Sequence, residues 1–114
     1  MINRDTTFDG TKLKYLLDIK ATGFEMDRDD FDVLLRRGEK SLLLHKSDLV
    51  VKPVTVVENN VSIEKHEYYV CFDSHYFGPG TITVIVTMQV PDADFPDGFR
   101  TIVDKFGLIN VLAV

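Results

Sequence analysis

Between Thr81 and Val90 the chain reads T-I-T-V-I-V-T-M-Q-V, with apolar residues at every second position. Ile82, Val84, Val86, Met88 and Val90 share one phase. Thr81, Thr83, Thr87 and Gln89 hold the other, with Ile85 the one exception. A period of two belongs to a strand buried on one face. Just upstream, Tyr68, Val70 and Phe72 lie on one face of a second run, and Tyr69 and Cys71 on the other. Ser74–Gly80 joins the two as a tight loop. Strand, loop, strand is therefore the centre of the chain.

The rest follows the same pattern. Thr11–Lys20 alternates, with Leu13, Tyr15, Leu17 and Ile19 on one side and Lys12, Lys14, Asp18 and Lys20 on the other, Leu16 among them. Phe31–Arg37 puts Phe31, Val33 and Leu35 inward, and Asp32, Leu34 and Arg36 outward. A turn at Gly38-Glu39-Lys40 returns the chain as Ser41–His45, a hairpin signature. Leu49–Lys52 reads as a short strand ended by Pro53, which cannot donate to a ladder. Val54–Val57 and Val61–Lys65 flank Glu58-Asn59-Asn60 as a protruding hairpin. A helix over Ser62–Tyr69 is the rival reading there.

Between these runs lie turn-rich segments. Met1–Gly10 is polar and reads as a flexible lead-in. Ala21–Asp30 is an acidic loop, with Phe24 and Met26 as plugs into the core. Pro91–Gly98 is a second acidic loop, and Phe99–Phe106 a final strand broken at Gly107 by a bulge. Seven or eight short strands, with no long 3.6-residue period, predict one all-β sandwich domain over 1–114. A small barrel is the alternative. The expected core is Leu13, Tyr15, Leu17, Ile19, Phe31, Val33, Leu35, Tyr68, Val70, Phe72, Ile82, Val84, Val86 and Met88.

Candidate chemistry is sparse. A net charge of −5 argues against a phosphate-binding footprint, so no nucleic-acid partner is expected. The start, M-I-N-R-D-T-T, carries no signal peptide, and no apolar run is long enough to span a membrane. The lone Cys71 excludes an intrachain disulfide and reads as a packed structural thiol. His45, His66 and His75 lack the short spacing of a zinc site, and His75 reads as a surface imidazole. Glu25, Asp27, Asp29 and Asp30, like Asp92, Asp94 and Asp97, fit turns better than a calcium cage, and strand alternation sets the two loops at opposite ends. No catalytic residues, metal or cofactor are expected, and the chain is read as a non-enzyme.

Three segments carry a family resemblance: G-F-E-M-D-R-D-D-F-D-V from Gly23, Y-Y-V-C-F-D-S-H-Y-F-G-P-G from Tyr68, and V-P-D-A-D-F-P-D-G-F-R-T-I-V from Val90. From Thr11 to Asn110 the chain resembles small immunoglobulin-like proteins and domains of tailed phages and prophages of Bacteroides-type gut bacteria. Those are virion structural pieces of head or tail fibres and their attachment points. The resemblance implies an immunoglobulin-like sandwich of antiparallel strands, with 53–65 as a hairpin insertion. It also implies a place in the virion and virion proteins (capsid, fibre or tail) as partners. The family offers no catalytic residues to carry over. A carbohydrate- or cell-surface-binding sandwich is the alternative function, disfavoured by the absence of Trp.

Some outward positions are apolar. In an immunoglobulin-like topology with the Leu16, Leu34 and Tyr69 strands in one sheet, these three residues would form one association patch. Val54, Val56, Val57, Val61 and Ile63 are many apolar residues for a two-stranded ribbon. The tail L-I-N-V-L-A-V is apolar in both phases, placing Leu108, Ile109, Val111 and Leu112 on a partner. Strand addition to another chain would cover both segments, and a homo-oligomer, with a dimer favoured, is expected.

Overall fold

The alternating segments all become strands in the computed structural model, which describes residues 3–114. One sheet runs β1 (Asn3–Phe8), β8 (Phe99–Leu112), β7 (Gly80–Pro91), β3 (Phe31–Arg37), β4 (Lys40–His45). The other runs β2 (Lys12–Leu17), β6 (Val61–Asp73), β5 (Val50–Glu58). Neighbours are antiparallel except β1, which lies parallel on β8. Single 3-10 turns occur at Lys46–Asp48 and Ser74–Tyr76, and there is no α-helix among the described residues. The architecture is all-β and sandwich-like.

Inward phases of both sheets meet in one core. Leu17, Ile19, Phe31, Val33, Leu35, Tyr68, Val70, Phe72, Ile82, Val84, Val86 and Met88 are buried, with Leu13 and Tyr15 half-buried against them. Phe31 bridges the sheets, meeting Tyr68 edge-on at 5.7 Å and Phe24 of the first loop at 5.9 Å. Edge-to-face packing suits the ring quadrupoles and fixes orientation as well as burying area. Phe24 and Met26 plug the core as the sequence suggests. Phe77, Leu49 and Val90 add to it from outside the expected set.

Several expectations are corrected. The polar lead-in is a strand from Asn3 to Phe8, held along the edge of β8; Met1 and Ile2 lie outside the described residues. Pro53 does not end a strand, because β5 runs through it. The two-residue turn Asn59-Asn60, with φ of 51° and 64°, makes Glu58 and Val61 a hydrogen-bonded pair, so Pro53 falls at a non-bonded position. Its missing N–H thus faces the free edge of the sheet, where nothing is lost. Residues 62–69 are strand, as the favoured reading has it, and the rival helix does not form.

The tail is the third correction. The register of β7 on β8 shifts between Val84 and Ile85, with Phe106 as the extra residue beside Gly107. Such a bulge reverses the phase that follows it. Ile109 and Val111 are consequently core, buried at 4% and 3% exposure, and cannot be partner contacts. The tail completes its own sandwich.

Finally, the two acidic loops lie at the same end of the sandwich. Phe31 pairs with Met88, and the Gln89 N–H donates to the Asp30 carbonyl at 3.0 Å. The start of β3 therefore lies beside the end of β7. Simple alternation fails because β5 sets off from this same end and continues past it: Val51 pairs with Tyr68, level with Leu17 at the end of β2, and the ribbon beyond has no third strand.

Candidate interaction surfaces

Outward residues of the smaller sheet form a row across it. Leu16 pairs with Tyr69, and Tyr69 with Val50. Further along the same face, Val56 pairs with Ile63 and Glu58 with Val61, while Val54 faces Lys65. Leu16, Val50 and Val61 are exposed; Val54, Val56, Ile63 and Tyr69 are half-buried. Lys65 reaches along the ribbon to Glu58 at 2.8 Å, so its stem partly shields the valines.

Tyr69 is held between cations. Lys14 Nζ stands 4.6 Å and Lys52 Nζ 5.5 Å from its ring centroid, within cation–π range. Close approach of Lys52 lowers the pKa of Lys14, first through their side-chain contact and then through charge repulsion. The Tyr69 hydroxyl donates to Glu67 at 3.1 Å, which raises its own pKa. On this face charged pairs interrupt the apolar ones: Lys52 faces Glu67 between the Leu16–Tyr69–Val50 row and the Val56–Ile63 pair, and Val54 faces Lys65.

Leu34 also lies elsewhere than expected. It belongs to β3 in the larger sheet, where Leu43 and Ile85 flank it on the outer face. The single patch of Leu16, Leu34 and Tyr69 does not exist, because β2 and β6 share one sheet and β3 the other. Two rows replace it, one on each sheet. On the larger sheet Leu108 sits half-buried opposite Thr83 on the outward face, and exposed Leu112 pairs with exposed Phe8.

The acidic loops are internally satisfied. Asp29 is a buried carboxylate that takes Arg28 Nε at 2.8 Å and Nη2 at 2.9 Å, and the Glu25 N–H at 2.9 Å. The Arg28 hydrogen bond, over the opposing effect of burial, holds Asp29 below the usual carboxylate range. Asp27 ties its loop to β6. It accepts from the Tyr68 hydroxyl at 2.7 Å and from the His66 N–H at 3.3 Å. Burial would raise Asp27, but those bonds and the His66 charge outweigh it and lower the pKa. Tyr68 is pushed up to about 12 by burial and by the same carboxylate. In the second loop Asp92 and Asp97 cap backbone N–H groups of Asp94 and Phe99. These are turn-forming roles, and no metal-binding cluster of His, Cys, Asp or Glu occurs among the described residues.

Each histidine has an aspartate partner that spacing did not reveal. His45 Nδ1 lies 2.8 Å from Asp32, His75 Nδ1 3.1 Å from Asp9, and His66 Nδ1 3.3 Å from Asp27. The hydrogen bond His45 donates to Asp32, then the charge of that carboxylate, raises the His45 pKa. Ser47 lines the shallow groove beside His45 and Asp32, but no hydrogen bond joins its hydroxyl to the ring among the described residues. Cys71 is exposed on the outer face opposite Lys14, correcting the packed thiol. The alternation that buries Val70 and Phe72 turns Cys71 outward, and this local constraint overrides the general burial of cysteine.

No helix is long and apolar enough to cross a membrane among the described residues. The chain matches no family model, no curated protein and no solved structure.

Proposed function

We propose that this is a non-enzymatic structural module of a phage particle, an immunoglobulin-like sandwich that docks or dimerises to attach a head or tail fibre. The observation carrying the reading is the pair of outward apolar rows, one centred on Leu16–Tyr69–Val50 and one on Leu43–Leu34–Ile85. Contiguous apolar surface on both faces of a small domain suits a part built between neighbours. The strand order supports the immunoglobulin-like assignment. β3 and β4 with β7 and β8 correspond to C, C′, F and G, and β2, β6 and β5 to B, E and D. Virion proteins of the capsid, fibre or tail are the partners it fits, and the virion is where it would reside.

Mass spectrometry and antibody-gold labelling of purified particles test the reading. The chain should copurify with intact particles at a stoichiometric level and label one position on them. Its absence from particles whose other structural proteins are all detected would refute the proposal. One feature favours the carbohydrate-binding alternative: Phe95 and Phe99 are exposed beside Asp92, Asp94 and Asp97. Specific glycan binding lost on Phe95→Ala would establish that reading instead.

A further inference from the structure

The free edge of β5 is unlike the other edges of the two sheets. It is nine residues long, V-V-K-P-V-T-V-V-E, and five of them are valine. Since Glu58 and Val61 are a hydrogen-bonded pair, Val51, Pro53, Thr55 and Val57 direct their backbone groups away from β6. Pro53 lacks one donor. The N–H groups of Val51, Thr55 and Val57 and four carbonyls remain for another strand. An unpaired edge of this kind is a template for strand addition.

The sequence of the edge says what adds to it. Lys52 and Glu58 stand symmetrically about Thr55, three residues to either side. Antiparallel pairing of β5 with a second β5, centred on Thr55, sets Lys52 opposite Glu58 of the second copy, and Glu58 opposite its Lys52. The same register sets Val54 against Val56, Pro53 against Val57, and Thr55 against itself. Val57, at 71% exposure, would be covered by the proline ring of the second copy. Lys52/Glu58 and Val54/Val56 fall in the non-hydrogen-bonded positions of the new ladder, where opposing side chains come closest. Moving the centre to Val54 or Val56 leaves both charges opposite uncharged residues.

We propose that two copies of this chain join through β5 in this register. The two three-stranded sheets then become one continuous six-stranded sheet across a two-fold axis. Such an interface is isologous, so it closes at a dimer. It extends the Leu16–Tyr69–Val50 rows of both copies along one surface. The inference deepens the docking reading by naming the partner and the segment.

The test uses the full chain and sedimentation velocity up to millimolar concentration. Wild type should dimerise. Lys52→Glu and Glu58→Lys should each raise the dimer dissociation constant roughly ten-fold, since each places two like-charge pairs across the axis. The double variant Lys52→Glu/Glu58→Lys should recover most of the affinity. Circular dichroism confirms that each variant is folded. In a Cys71→Ser background, mixing Val54→Cys and Val56→Cys copies should give the mixed disulfide in preference to either homodimer. A monomer throughout, a dimer indifferent to both charge changes, or cross-linking without the Val54–Val56 preference would overturn the proposal. A monomer still found in purified particles would sink the β5 dimer and leave the docking role intact.

Discussion

Val84→Ala measures the register on which the whole fold depends. Val84 is buried on β7 between outward Thr83 and Ile85. Truncation removes two buried carbons, a loss of about 1.6 kcal/mol at roughly 0.8 kcal/mol each. Val84 also borders a small apolar cavity of about 60 Å³, shared with Tyr15, Leu17, Leu35, Phe72 and Phe106. New void joins that space instead of collapsing. Roughly 40 Å³ of it at about 24 cal/mol per Å³ adds about 1 kcal/mol. The expected cost is about 2.5 kcal/mol. Thr83→Ala, one residue away and facing outward, should cost about 0.5 kcal/mol or less. Urea unfolding followed by circular dichroism reads both, with the midpoint moving for Val84→Ala and the slope unchanged. If Thr83→Ala proved the costlier of the two, the inward phase would be the other one, and every core assignment on β7 would invert.

Other perturbations read single features. Asp29 has its pKa lowered, so its stabilisation is present above the unfolded value near 3.9 and is lost as pH falls through the lower folded value. Asp29→Asn should therefore flatten the acid limb of a stability–pH curve and cost about 2 kcal/mol near neutrality; an unchanged limb would show the carboxylate to be idle. His45 has its pKa raised by Asp32, so the pair's contribution is complete below about pH 6.5 and fades as pH rises through the folded value. Asp32→Asn should lower the imidazole titration midpoint seen by NMR, and an unmoved midpoint would refute the pairing. Millimolar calcium followed by chelator should leave the melting temperature where it was, because the loop carboxylates hold their own backbone and Arg28. A reversible rise of many degrees would show otherwise. Gly80→Ala should destabilise by about 2 kcal/mol, since φ is 137° and a Cβ would stand 2.6 Å from Arg37 Cδ; a neutral result would mean that Arg37 moves freely aside.

Alternation made most of the inward faces legible. Phe31, Val33, Leu35 and the Ile82–Met88 series needed nothing beyond a period of two, because one slip would expose the whole set. What alternation cannot carry is partnership. Leu16 and Leu34 look alike in sequence, as single leucines on polar faces, yet they stand on different sheets. Only the hydrogen-bonded ladders decide that. The tail shows a second limit. Leu108–Val114 is apolar in both phases, and only the bulge at Phe106, just upstream, decides that Ile109 and Val111 face inward; an unswitched reading makes them surplus apolar surface. The histidine–aspartate pairs were out of reach for a related reason. Asp9 and His75 are distant in sequence and meet only because β1 and β2 fold back beside the end of β6.

The four sheet edges show how the chain divides its protected from its available backbone. β1 and β4 are six residues each, and β2 is another six with Lys12 and Lys14 on it; short length and charge both discourage further pairing. The β1 and β2 edges are also tied to one another across the sandwich by the Tyr15 hydroxyl, which donates to Asp5 at 2.6 Å. β5 is longer and richer in valine, and much of it projects past the sandwich as a two-stranded ribbon. A ribbon of that kind is marginally stable alone in water. Pro53 removes one donor from its edge, which discourages indiscriminate addition, while Lys52 and Glu58 leave one self-complementary register favoured over its neighbours. Partial blunting with a single matched register separates a selected contact from an aggregation-prone edge. The same reasoning fixes what Pro53→Val must do. Restoring the donor should tighten association but broaden it, with higher oligomers or fibres joining the dimer, and a variant that stayed strictly dimeric would mean the proline has no gatekeeping role.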